Sequence, residues 1–213
     1  CILHRQLMVT QPTEPSDHSS TEVRFEHSAG FPDVLAQLGV SLLVSTYQAG
    51  KVLVLGADSP AQGGSKLSIS FHNFEQPMGM AVSPRSLAIG TRRAVWFFSP
   101  ANDLAPRIEP AGRYDGAFLA RSATFTGSIA CHDLSWCGDE LWVVNTLFSC
   151  LCTLSPDYNF VPRWRPPFIT ALAAEDRCHL NGMASDGQQP RYVTVIGCTD
   201  TPGGWRPGKA TDG

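Results

Sequence analysis

The stretch Gly138–Leu154, GDELWVVNTLFSCLCTL, decides the fold. Leu141, Trp142, Val143 and Val144 form a short apolar run, Asn145 and Thr146 break it, and Phe148 to Leu154 form a second run. Short runs of β-branched and aromatic residues divided by polar turn residues predict two strands and a tight link. The same pattern recurs upstream. SLLVSTYQAGKVLVL places Thr46 after an apolar strand, and SLAIGTRRAVWFFS does the same with Thr91. Thr46, Thr91 and Thr146 lie 45 and 55 residues apart, each preceded by a small or polar residue: Ser45, Gly90 or Asn145. A looser copy, RYVTVIGCTDT, ends near Thr199. A repeat of about 40 to 55 residues with several short strands per unit is expected of a β-propeller or a related β-array, whose units bury their faces against one another. The expected fold is all-β, an incomplete propeller with about four blade-like repeats.

Three copies have a similar lead-in: PMGMAVS (Pro77–Ser83), CHDLSW (Cys131–Trp136) and CHLNGMAS (Cys178–Ser185). In a propeller these lead-ins are the innermost strands, so their polar residues are the candidate site. His132 and Asp133 open one, and His179 and Asn181 open the next. If the units are adjacent, two imidazoles, a carboxylate and an amide oxygen converge, a mixed N/O set suited to a divalent ion that polarises a carbonyl or activates water. The alternative is that these groups satisfy one another and the strand ends. Arg163, Trp164 and Arg165, with Trp205 and Arg206, form a second set. They are expected either to line a site for an anionic or sugar-like ligand or to form a packed loop whose arginines pair with Glu175 and Asp176.

Composition bounds the partners. Of 213 residues, 43% are hydrophobic and 16% charged, enough apolar content for a real core. The net charge is -3, and no basic stretch exceeds pairs such as Arg92-Arg93, which argues against nucleic acid as a partner. No apolar run reaches the roughly 18 residues that a membrane span needs. CILHRQLMVTQ holds no signal-peptide core, and seven cysteines at irregular spacings point to buried thiols in a reducing compartment, hence a cytoplasmic protein. Cys150 and Cys152, two apart on a strand, share a face.

Along the chain, residues 1–22 read as a polar leader, disordered by composition, and 23–213 as the propeller-like domain, truncated at its C-terminus. FPDVLAQLG predicts a short helix stopped by Gly39. Residues 115–128 read as a connection, and ITALAAEDR as one or two helical turns. Pro166 and Pro167 stop strand pairing after RWR.

The motifs SLLVSTYQAGKV, PMGMAV, LAIGTRR, GDELWVVNTLFSCLCTL, DYNFVPRWRPPFI, EDRCHLNGMA and TDTPGGWR, spanning roughly Phe25 to Lys209, resemble a conserved bacterial family of unknown function. Its members are conserved hypothetical proteins with a predicted propeller-like domain, some beside tetratricopeptide repeats. The resemblance implies a propeller-like fold and no established activity. LNGMAS also resembles the inner strand of the gluconolactonase and senescence-marker propellers, in which the Asn is a metal ligand; only Asn181 carries over. Three readings follow: a binding or scaffolding module for a small molecule or protein partner, a metal-assisted hydrolase of the lactonase kind at the central channel, or a structural repeat domain of a larger protein.

Overall fold

The computed structural model describes residues 2–4, 7–10, 24–58 and 63–210. They fall into two compact units. One comprises Cys1–Val44, Val52–Asn73 and Ser99–Ala120, the other Ser45–Lys51, Phe74–Phe98 and Arg121–Gly213.

The first unit carries β1 (Ile2–His4), β2 (Leu7–Thr10), α1 (Phe31–Leu38), β3 (Val40–Thr46), β4 (Lys51–Asp58) and β5 (Lys66–Asn73). Strands β1, β3, β4 and β5 pair in that order. β4 alternates, with Val52, Val54 and Gly56 buried, as expected of a strand with one face on a core. Helix α1 ends as expected at Gly39, whose φ of 63° is the left-handed conformation that closes a helix. Asp33 on this helix accepts a hydrogen bond from the Ser65 amide at 3.0 Å, fixing the entry to β5. Strands β1 and β2 lie where a polar leader was expected; the rest of that leader, residues 1, 5, 6 and 11–22, lies outside the described residues.

In the second unit, β6 (Met80–Ser83), β7 (Ser86–Gly90) and β8 (Ala94–Pro100) form an antiparallel meander. β9 (Gly116–Phe125) begins in the first unit, where Gly116–Leu119 pair in parallel with β2. This ten-residue strand replaces the connection expected at 115–128. Its first three residues are buried in succession and the rest do not alternate, so no period of two marks it.

A four-stranded antiparallel sheet follows: β10 (Cys131–Cys137), β11 (Glu140–Asn145), β12 (Cys150–Thr153) and β13 (Val161–Trp164). It contains the stretch that opened the sequence reading. The second run enters its strand at Cys150 rather than Phe148, because Thr146 to Ser149 are used by the turn, with Ser149 at φ 52°. Val143 and Val144 are both fully buried on opposite faces of β11. Val143 packs with Ala81, Ala88, Val95, Leu134, Cys150 and Cys152, and Val144 with Leu151, Ile169, Cys178 and Leu180. A sheet covered on both faces needs continuous rather than alternating hydrophobicity, which is why LWVV and CLC read as solid runs. Cys150 and Cys152 share one face, as their spacing predicted, and Leu151 takes the other.

The last pair is β14 (Leu180–Ser185) and β15 (Pro190–Val195). The segment before it is irregular, not helical. Its amides are used elsewhere: Thr170 donates to Asp200, and Glu175 and Asp176 both donate to the Leu147 carbonyl. Tertiary partners here displace the i to i−4 pattern that a helix requires. The described residues are thus mostly β, in four sheets with one short helix.

The lead-ins before β6, β10 and β14 are one structure written three times. Gln76, Ala130 and His179 each sit at φ 49° immediately before an extended segment. Two positions on stand Met78, His132 and Asn181, and three positions on Gly79, Asp133 and Gly182. Neighbouring lead-ins are directly bonded: the Gly79 amide donates to the Cys131 carbonyl at 3.1 Å, and the Met183 amide to Asp133 Oδ2 at 2.9 Å. A Cβ at Gly79 would lie 2.8 Å from the Asp133 backbone carbon, so only glycine admits this approach. Gly79→Ala is expected to destabilise the second unit by about 1–3 kcal/mol, read as a lower urea midpoint at unchanged slope.

Candidate functional site

The repeat threonines are structural. The Thr46 hydroxyl donates to the Lys51 carbonyl at 2.9 Å and Thr91 to Ala94 at 2.8 Å, each closing its own hairpin. Thr146 donates to the Leu180 carbonyl in Cys178–Ser185, the lead-in of the fourth copy and so the fourth lead-in, and Thr199 to the Arg177 carbonyl just before it. That lead-in is further held by Arg177, whose amide donates to Ser149 Oγ and whose guanidinium pairs with Glu175 at 2.8 Å and Asp200 at 2.9 Å.

Three of the four lead-in candidates come together on this frame. The His132 and His179 ring centroids are 4.8 Å apart, edge to face. His132 Nδ1 lies 2.9 Å from Asn181 Oδ1, and His179 Nδ1 lies 2.9 and 3.2 Å from the two carboxylate oxygens of Asp176. Oδ1 and the carboxylate accept, so each Nδ1 carries a proton, and the lone pair of a neutral ring lies on Nε2. Burial pushes the His132 imidazole below its ordinary range, which holds it neutral. In the repeat, His132 corresponds to Asn181, whereas His179 corresponds to Ala130.

Asp133 is turned to the backbone instead. Its Oδ1 accepts from the Leu134 amide at 2.9 Å and its Oδ2 from the Met183 amide at 2.9 Å. Among the described residues, no three His, Cys, Asp or Glu side chains gather as a ligand group.

The second candidate set divides. Trp205 packs on His179, with centroids 4.3 Å apart, and the Arg206 guanidinium stands 4.8 Å from the Trp205 ring centre. The Trp205 backbone passes 3.3 Å from where a Cβ on Gly197 would be, which seats the indole. Trp205 Nε1 is buried without a hydrogen-bond partner among the described residues. Arg206 makes no ion pair among the described residues. Arg163 and Trp164 lie elsewhere, lining a groove of about 350 Å³ with Trp142, Arg191 and Tyr192. Both arginines of the groove are neutralised: Arg163 pairs with Glu140 at 2.7 Å and Arg191 with Asp186 at 2.6 Å. Arg165 is exposed and is not among the groove's lining residues.

Asp176 was missed as a site residue, since it reads as a partner for arginine. The available signal was its D-x-x-H spacing to His179, which becomes a contact only because Asp176 and His179 both adopt positive φ, 47° and 49°.

Two predictions follow from these bonds. Asp133→Ala removes the acceptor for two amides and is expected to cost about 1–3 kcal/mol in chemical denaturation. Asp200 is held at about 2 by the Thr170 hydroxyl and then by Arg177, against about 3.9 unfolded. A depressed carboxylate stabilises fully above the unfolded value and loses that contribution as pH falls towards the folded one. Stability should therefore decline from about pH 4 to pH 2, and Asp200→Asn should flatten that limb of the denaturation-midpoint profile.

No curated protein sequence matches the chain. A family match covers most of it, from residue 29 to residue 213. The chain belongs to the family described as Domain of unknown function (DUF4915).

Proposed function

We propose that the chain is a binding module for a small anionic molecule, with β6, β10 and β14 as inner strands of successive propeller blades and the ligand at the His132–His179–Arg206 cluster. One observation carries this reading. Two imidazoles with fixed Nδ1 partners keep an unshared Nε2, and the Trp205 ring packed on His179 carries the Arg206 guanidinium, which makes no ion pair among the described residues. Pre-oriented polar groups next to an unspent charge favour a ligand that brings the opposite charge. The Arg163–Trp164 groove supports the reading less, because its cations are already paired.

The test is a succinate titration followed by the ring resonances of the histidines in NMR. Saturable shifts at His132 and His179, weakened about tenfold in Arg206→Gln, are expected. Unmoved resonances with succinate and with phosphate would sink the reading. Binding lost after chelator dialysis and restored by zinc would assign the cluster to an ion instead.

A further inference from the structure

We propose that Asp176 and His179 form a general-base dyad that activates water against the carbonyl carbon of a carboxylic ester bearing an anionic group. The inference rests on the binding reading, with the bound molecule now the substrate. The repeat itself provides the argument. Three residues before the equivalent of His179 in the third lead-in stands Gly127, at φ 67°. In the fourth, that position is Asp176, held at φ 47°. Glycine adopts this conformation freely and an aspartate at some cost. The segment before His179 therefore has a costlier residue where the preceding unit has a free one. What that residue gains is the contact of both Asp176 oxygens with His179 Nδ1, at 2.9 and 3.2 Å.

The contact fixes the tautomer. Nδ1–H points at the carboxylate, and Nε2 has the lone pair that a general base needs. The side chains of His179 and Asp176 are 18% and 16% exposed, shielded enough for the carboxylate to stabilise an imidazolium and open enough for water to reach the ring. His132, edge-on at 4.8 Å, and Trp205, at 4.3 Å on its other contact, hold the imidazole plane. The segment carrying the pair is anchored by the Leu147 carbonyl, Ser149 and Asp200. The positively charged Arg206 next to Trp205 selects the anionic substituent.

The step balances without a further reactant. His179 Nε2 takes a proton from water as its oxygen bonds to the carbonyl carbon. The tetrahedral intermediate expels the alkoxide, which takes the proton back from Nε2. Ester and water become acid and alcohol. His179 is the catalytic residue, and Asp176 is a positioning residue that holds the ring and its positive charge.

The experiment uses the full chain with mono-4-nitrophenyl succinate and 4-nitrophenyl acetate as probes. Saturable hydrolysis of the succinate ester is expected, abolished in His179→Gln. Asp176→Asn, which tolerates positive φ, should keep the fold by circular dichroism, lower kcat by about 10²-fold or more and displace the rising limb of the pH–rate profile. Arg206→Gln should raise KM for the succinate ester more than for the acetate. Asp176→Gly, which restores the residue type at position 127, should be folded and equally impaired. Saturable binding of the succinate ester without turnover, or turnover unaffected by His179→Gln, overturns the dyad and leaves the binding reading standing. Absence of any saturable interaction overturns both.

Discussion

The Asp133 carboxylate is the point on which the second unit turns. One oxygen accepts from its own strand at Leu134 and the other from Met183 of the next lead-in, both at 2.9 Å. Its backbone meanwhile receives Gly79 of the preceding lead-in at a separation no side chain would permit. A single residue thereby ties three successive lead-in segments. Charge-assisted bonds to backbone amides are among the stronger hydrogen bonds available. They fix the distance between β10 and β14, and so the distance between two side chains those strands carry, His132 and Asn181.

The packing explains why this unit tolerates such precise polar contacts. The sheet β10–β13 is buried on both faces, with Val143 and Val144 each inaccessible. Cys131, Cys150 and Cys152 fill one of those faces as small apolar residues; burial pushes the Cys131 thiol far above the ordinary range, and the hydrogen bond with Cys150 and then burial do the same to Cys152. A raised thiol is neither nucleophile nor ready metal ligand, so these cysteines contribute volume rather than chemistry. The polar groups are concentrated instead where the strands begin, at the open ends of the lead-ins.

There the fourth lead-in departs from its siblings. It shares the left-handed residue and the spacing, yet it has His179 where the third has Ala130 and Asp176 where the third has Gly127. The bonds that anchor it, from Leu147, Ser149, Thr199 and Asp200, hold a segment that local preference alone would not keep.

Much of this was written in one dimension. Solid apolar runs, the threonine repeat, the Gly39 helix stop and the shared face of Cys150 and Cys152 follow from strand periodicity and turn chemistry, which are local. The lead-in pattern also marked His132, Asp133, His179 and Asn181 before any contact was known. The sequence could not assign their roles. Asp133 and Asp176 differ by where their oxygens point, one to backbone amides and one to an imidazole, and that depends on φ angles and on strands some fifty residues apart. Trp205 and Arg206 read as companions of Arg163 and Trp164 but belong with His179, because close approach at Gly197 seats the indole there. The strand β9 and the unwound ITALAAEDR segment went unseen for the same reason. Burial without period and amides claimed by distant carbonyls are decided by tertiary structure, which alone determines where a backbone group finds its partner.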